Sequence, residues 1–177
     1  VRDVISDAGQ PDAVGVGVPS QIEFETGTVE TSVNIPLTGV PLREELGRRF
    51  GLPRWQFAMT ATDANRFVLR FARHLTGRPR IAVFDWCYHG TVDETLGILD
   101  GGRAVSRPGN IGPPVDPALT TTIVEFNDVE ALEAALEAGD VACVLAEPAL
   151  TNIGIVAPDP GFHDALRAIT RRTGTLL

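Results

Sequence analysis

Three short stretches of this chain carry polar or aromatic side chains just past a predicted strand, where chemistry could take place. They are Phe57-Ala-Met-Thr-Ala-Thr-Asp-Ala-Asn65, Val83-Phe-Asp-Trp-Cys-Tyr-His-Gly90 and Ala146-Glu-Pro-Ala-Leu-Thr-Asn-Ile-Gly154. In doubly wound α/β sheets, ligands bind at the carboxyl ends of the strands. The three stretches are therefore predicted to gather at one edge of a sheet and to form a single ligand site.

In the first stretch, Ala61 and Thr62 lie at a narrow turn before a predicted helix. The N-terminus of a helix attracts phosphate through its free N–H groups and its positive dipole end. The small side chain of Ala61 lets an anion approach the backbone, and Thr62 adds a hydroxyl donor. Thr60 and Asp63 also have the spacing of a capping box, so phosphate binding and simple helix capping are both open here.

In the second stretch, Tyr88 and His89 follow a strand predicted at 80–84. An aromatic ring at such a place can stack on a flat heteroaromatic ligand. The alternatives are an ordinary aromatic residue at a strand–loop junction and a structural histidine. The other two histidines, His74 and His163, lie on predicted helices without ligand spacing, so we predict no metal site.

In the third stretch, Glu147 comes directly after an apolar strand predicted at 141–146, and Pro148 fixes the turn that follows. Desolvating a carboxylate is unfavourable unless the group is paired or hydrogen-bonded. Glu147 is therefore either part of a ligand site or a cap for a neighbouring loop. The residues alone leave both readings open.

In their order and spacing the three stretches resemble the large domain of class III pyridoxal-phosphate aminotransferases, over about residues 44–177. The resemblance implies that Ala61 and Thr62, at the place of the family's Gly-Thr pair, contact the cofactor phosphate. It also implies that Tyr88 stacks on the pyridine ring and that His89 belongs to the same cofactor-binding set.

The resemblance places Glu147 at the cofactor face, near the ring hydroxyl side. Asn152 stands where ordinary ω-aminotransferases tend to have a second Glu, and the sequence around it resembles the glutamate-1-semialdehyde aminomutase branch. Asn152 completes the predicted cofactor-binding set. The implied activity is transfer of an amino group to or from an amino acid, amino-ketone, keto or aldehyde substrate, with aminomutase chemistry as the alternative.

The family holds pyridoxal 5'-phosphate as a Schiff base on a lysine, yet this chain contains no lysine. We therefore expect a truncated part of a longer parent enzyme, inactive in isolation, with no catalytic residue of its own. The alternative from another class is a non-catalytic module. A nucleotide-binding α/β protein is a third possibility, but the Gly-rich fingerprint and the P-loop lysine are both missing.

Alternating strands and helices predict right-handed crossovers and a mainly parallel sheet. The expected fold is a three-layer α/β arrangement with helices on both faces, part of the large domain of a fold-type-I pyridoxal-phosphate transferase. Residues 1–40 form a poorly defined segment, and 41–177 the N-terminal half of the cofactor-binding domain. The predicted elements are a helix at 41–50, a short buried strand at 55–59, a helix at 62–76, a strand at 80–84, a loop at 107–118, a strand at 121–126, a helix at 129–138, a strand at 141–146, a helix at 162–173 and the start of a strand at 175–177.

The composition limits the partners. A net charge of −8 without a basic block argues against a nucleic-acid partner, and the longest apolar run is too short to cross a membrane. The two cysteines, Cys87 and Cys143, lie in apolar stretches and are predicted to be buried thiols of a cytoplasmic protein. We expect a homodimer for the full-length parent, and association of the isolated chain through uncovered apolar surface.

Overall fold

The centre of the fold is a parallel sheet, seen in a computed structural model that describes Val18 and residues 20–177. Its strands lie in the order β6-β3-β7 and all run in the same direction. Leu176 continues the sheet beside β7, where it exchanges backbone hydrogen bonds of 2.8 and 3.0 Å with Val144 and Ala142. The predicted parallel sheet is therefore confirmed, and the strand start predicted at 175–177 is present only as a single parallel bridge at Leu176. The strands are β1 (Ser20–Ile22), β2 (Val29–Ser32), β3 (Arg80–Phe84), β4 (Gly97–Asp100), β5 (Arg103–Ser106), β6 (Thr121–Val124) and β7 (Val141–Leu145), and the α-helices are α1 (Leu42–Phe50), α2 (Ala61–Thr76), α3 (Val129–Glu137) and α4 (Phe162–Thr173).

Both faces of this sheet are covered. Every residue from Ile81 to Phe84 is at most 1% exposed, and successive side chains of a strand point to opposite faces. On one face Phe84 packs against Phe162 of α4, with ring centroids 5.5 Å apart. Leu69 and Ala72 of α2 belong to the same buried core. The predicted three-layer α/β arrangement is what the chain adopts.

Two features outside the sheet complete the fold. Strands β4 and β5 form an antiparallel hairpin around Gly101 and Gly102, both at positive φ. This hairpin was not among the predicted elements, although a Gly-Gly pair between two short strands is a hairpin signal. Near the N-terminus, β1 and β2 form a second antiparallel pair, which is joined to α1 because Arg43 donates to the carbonyl oxygens of Phe24 and Glu25. None of the helices in the described residues is long and apolar enough to cross a membrane.

The strand predicted at 55–59 is wrong. These residues form an irregular connection between α1 and α2, and Met59 is 95% exposed. The indole N–H of Trp55 donates to the Leu52 carbonyl at 2.7 Å and its ring packs on Phe50. Trp55 therefore packs against the end of the preceding helix α1 and not within a sheet.

One apolar stripe of α2, formed by Val68, Phe71 and Leu75, faces outward instead of toward the core. Val68, Phe71 and Leu75 are 45%, 59% and 74% exposed, while Leu69 and Ala72 are buried. Arg73 of the same helix is half-buried in an ion pair with Glu94. Hydrogen bonds of Thr62 and Asn65, near the start of α2, to the loop after β3 fix this orientation.

We expect the exposed stripe of α2 to cause self-association. The test replaces both Phe71 and Leu75 by glutamine, which is a good helix former and removes much of the apolar patch. The average mass measured by sedimentation velocity should then fall toward that of the monomer. Leu119→Gln, which changes an exposed leucine elsewhere, is the control. Equal self-association in all three proteins would contradict this prediction.

Candidate functional site

The turn after β3 is fixed by one buried carboxylate. Asp85 is 5% exposed, and its Oδ1 accepts hydrogen bonds from the N–H groups of Trp86 at 3.1 Å and Leu99 at 2.9 Å. Trp86 adopts a positive φ of 58°, which is uncommon for a bulky residue. The chain therefore leaves the strand direction abruptly and presents residues 86–90 at the carboxyl end of the sheet.

Glu147, at the end of β7, meets this turn. Its Oε1 accepts the backbone N–H of Tyr88 at 2.9 Å, and its Oε2 accepts the hydroxyl of Thr151 at 3.0 Å. Asn152 donates from Nδ2 to the carbonyl of Trp86 at 3.3 Å. The second and third stretches are therefore joined directly, and the loop-capping role considered for Glu147 is present in the structure.

The start of α2 is joined to the same turn. Thr60 caps the helix, accepting the N–H of Asp63 at 3.1 Å and donating to its carboxylate at 2.8 Å. Thr62 accepts the N–H of Thr91 at 3.1 Å, and Asn65 donates to the carbonyl of His89 at 2.9 Å. These polar contacts turn one face of α2 inward, which is why its apolar stripe faces solvent.

Gly90 permits this close approach. It has φ of +80°, and a Cβ placed on it would clash with Oγ1 of Thr62 and lie 3.1 Å from the Cα of that threonine. A side chain there would force the loop and the helix apart. The first and second stretches therefore depend on this glycine for their contact.

His89 is buried, with 7% exposure. Burial lowers its pKa from 6.5, against the opposite effects of the nearby Glu147 carboxylate and a hydrogen bond to the Leu145 backbone. Its Nε2 is buried without a hydrogen-bond partner. A buried polar atom without a partner is uncommon in a native fold and needs a physical reason.

Tyr88, by contrast, is 54% exposed. It borders a cavity of about 470 Å³ whose wall also includes Gly90, Thr91 and Arg107. Arg107 donates to the carbonyl of Cys87 at 2.5 Å, and Cys87 itself is buried and unpaired, with a pKa that burial raises to about 12. The exposed Tyr88 ring and the cavity beside it form a surface to which a ligand can bind. The buried Cys87 thiol is not a reactive group of this surface.

Hydrogen bonds and one close contact link all three sequence stretches at this end of the sheet. Ala61 and Thr62 begin α2, Tyr88 and His89 follow β3, and Glu147 and Asn152 follow β7. Sequence reasoning missed Arg107, since only the fold shows that it contacts residues 20 positions earlier. It also gave no role to Asp85, although this aspartate lies within the second stretch.

This arrangement agrees with comparisons to known proteins. The sequence profile of the family described as Aminotransferase class-III matches residues 29–177. The chain belongs to the class-III aminotransferase family. The members of this family are pyridoxal-phosphate enzymes, and the match begins upstream of the three stretches, within the β1–β2 hairpin.

Similar sequences and structures point to one branch of the family. Glutamate-1-semialdehyde 2,1-aminomutase from Sulfurihydrogenibium sp. (strain YO3AOP1) is 41% identical over 125 residues, which is 69% of this chain and 29% of that protein. A crystal structure of a glutamate-1-semialdehyde aminomutase from Pseudomonas aeruginosa PAO1 matches with a TM-score of 0.73 and 55% identity, over 76% of this chain and 30% of that one. The predicted resemblance to the aminomutase branch is confirmed.

Other solved transaminase and aminomutase structures have a similar fold. An ω-transaminase from Sphaerobacter thermophilus matches with a TM-score of 0.63 and 32% identity, over 75% of this chain and 33% of that one. A second Pseudomonas aeruginosa aminomutase structure, 56% identical over 75% of this chain and 29% of that one with a TM-score of 0.72, is in complex with PMP. The chain spans less than a third of the length of the aminomutases it matches.

We expect Gly90→Ala to be more destabilising than Gly77→Ala, which introduces a similar backbone strain without a steric clash. Gly77 has φ of +69° and open space where a methyl group would be added, whereas at Gly90 the added methyl group meets Thr62. Gly77→Ala should lower the free energy of unfolding by about 1 kcal/mol because a left-handed conformation is unfavourable for alanine, and Gly90→Ala by about 2 kcal/mol more because of overpacking. Urea denaturation measures both. Equal losses would show that the Gly90–Thr62 contact is unimportant.

We also expect His89 to make stability depend on pH. Because its pKa is lower in the folded chain, the unfolded chain binds a proton first as the pH falls below about 6.5. His89 therefore reduces the free energy of unfolding below that pH, by at most about 1.4 kcal/mol per pH unit. Urea denaturation at pH 7.5 and 5.5 should show a smaller loss for His89→Gln than for the wild type. His74→Gln, at an exposed position, is the control, and an unchanged loss in His89→Gln would contradict the prediction.

Proposed function

We propose that this chain supplies part of a pyridoxal-phosphate site in an enzyme that transfers an amino group to or from an amino acid, keto or aldehyde substrate. The observation that carries the proposal is the hydrogen-bonded junction of the three stretches at the carboxyl end of the sheet. Family membership supports it, as does the PMP complex of a related aminomutase. Because the chain spans less than a third of those relatives, the activity is assigned to the whole protein.

The residues present fit the cofactor. Thr62 uses its oxygen to accept the Thr91 N–H, so its hydroxyl hydrogen is free to donate. Thr60 caps the N–H of Asp63, and the first helical bond of α2 comes from Ala64. The N–H groups of Ala61 and Thr62 precede that bond and are the ones a helix leaves for an anion. We assign the cofactor phosphate to Ala61 and Thr62.

The remaining residues would hold the ring. Tyr88 offers an exposed aromatic face, and Glu147 fixes that residue through its backbone N–H. Asn152 lies beside the same turn with an amide that can contact the ring substituents. His89 places an unpartnered nitrogen in the buried layer beneath, where the neutral ring would accept one hydrogen bond from the completed site.

When bound, pyridoxal phosphate supplies an electron sink that stabilises negative charge on a substrate carbon. The residues of this chain bind and orient it. They do not attach it, because the chain has no lysine and arginine stays protonated at neutral pH. We therefore expect the chain in isolation to dock the cofactor weakly and to catalyse no turnover.

The second candidate is an aminomutase, which moves the amino group within one molecule. It is favoured by the glutamate-1-semialdehyde aminomutases among the relatives and by Asn152, which stands where ordinary ω-aminotransferases tend to have a second Glu. The two activities differ in substrate requirement. In the full-length protein, an aminomutase turns over glutamate-1-semialdehyde alone, whereas an aminotransferase needs a second, keto or aldehyde, substrate. A homodimeric, cytoplasmic full-length enzyme is part of the same proposal.

The docking site is tested with Tyr88→Ala. Removing the ring should weaken binding of pyridoxal phosphate, followed by its absorbance during equilibrium dialysis, by about fivefold, since aromatic stacking contributes about 1 kcal/mol. Phe24→Ala removes another exposed ring, distant in sequence, and should leave binding unchanged. If the wild-type chain binds no cofactor, or if both variants bind it equally well, the proposed site is wrong.

Borohydride reduction of the same samples tests how the cofactor is held. The sequence contains no lysine and therefore no side-chain primary amine, so peptide mapping should find no reduced adduct on any side chain. An adduct on a side chain, or transamination by the isolated chain, would contradict the account of the missing lysine.

A further inference from the structure

Arg107 is a half-buried cation whose hydrogen-bonding capacity is mostly unused. Its guanidinium stacks over the ring of Trp86, 5.6 Å from the centroid. Nη2 donates to the Cys87 carbonyl, while the buried Nε–H has no acceptor. Guanidinium groups that are partly withdrawn from water are normally paired with a carboxylate or phosphate.

Other arginines near this part of the fold have such a partner. Arg73 pairs with Glu94 and Arg103 pairs with Asp116. Arg107 forms no salt bridge within residues 20–177 of the structure, although the chain carries more acidic than basic residues. Its charge is therefore held in place by contacts with Trp86 and Cys87 that do not neutralise it.

Arg107 lies on the wall of the cavity beside Tyr88. The next residues form a tight loop that completes this wall: Asn110 accepts the N–H of Gly112 at 2.9 Å, and a Cβ on Gly112 would lie 2.6 Å from Oδ1 of Asp93. The cavity also reaches Gly90, which contacts Thr62. A small molecule beside the Tyr88 ring would therefore share the cavity with Arg107.

We propose that Arg107 binds the carboxylate of an amino-acid or keto-acid substrate, which rests on the function proposed above. A planar guanidinium with free donors matches a carboxylate. The cofactor phosphate has its own donors at the start of α2. Asp93, on the cavity wall, disfavours a doubly charged anion, so a singly charged carboxylate fits better than inorganic phosphate.

The test uses the chain without cofactor, titrated with pentanoate, its neutral amide pentanamide and inorganic phosphate. NMR follows the Arg107 Nε–H and the Trp86 indole N–H. Pentanoate should shift both signals saturably, and pentanamide should not. Arg107→Gln should weaken pentanoate binding about tenfold or more, as expected when a charge-assisted hydrogen bond is lost, while Arg107→Lys keeps the charge and loses less. Arg103→Gln, on the neighbouring hairpin, is the matched control.

The outcomes separate this inference from the cofactor site. It is wrong if pentanoate and pentanamide bind alike, if neither binds, or if inorganic phosphate shifts the Arg107 signal more strongly than pentanoate. These wild-type comparisons decide the matter even if Arg107→Gln fails to fold. Pyridoxal phosphate docking should survive in Arg107→Lys. Docking without Arg107-dependent pentanoate binding would overturn this inference alone, whereas absence of docking in the wild type would overturn the proposed function.

Discussion

The buried carboxylate of Asp85 is the constraint on which the rest of the site depends. It accepts two backbone N–H groups, one from the residue after it and one from the β4 strand. Such a buried group is stable only while its hydrogen bonds are made. Asp85 therefore fixes both the positive φ of Trp86 and the position of the β4–β5 hairpin relative to β3. The contacts that residues 86–90 make with α2 and with the residues after β7 depend on this turn geometry.

Polar contacts near this turn also decide how α2 lies on the sheet. Thr62 and Asn65 bond to the backbone of the 89–91 loop, and Arg73 pairs with Glu94 farther along the helix. Hydrophobic periodicity alone would turn the exposed stripe of α2 inward. Polar groups that would lose their hydrogen bonds in that orientation favour the observed one instead. In the observed orientation, Leu69 and Ala72 are the buried apolar residues through which α2 contacts the core.

The sequence predicted the sheet well because β3 and β7 are continuous apolar runs, which is typical of parallel strands covered on both faces. Helix α4 was predicted with its observed ends, and Gly174 at positive φ ends it. The strand predicted at 55–59 is absent, since Trp55 packs on Phe50 of the preceding helix α1. The three stretches that meet at the end of the sheet were identified through motifs that keep a fixed order. Arg107 carries no motif, and its partners are 20 residues away, so only the fold could identify it.

Two buried nitrogens without partners, Nε2 of His89 and Nε of Arg107, belong to residues near the same turn, and the two side chains interact electrostatically. Each unsatisfied group destabilises the fold by about 1–3 kcal/mol. Glu147, by contrast, has an acceptor role for both of its oxygens. The fold thus satisfies the carboxylates that build the turn and leaves the positive charge of Arg107, a residue of the cavity wall, without a carboxylate partner in the described residues. That distribution favours anionic ligands, because a bound carboxylate would neutralise this charge.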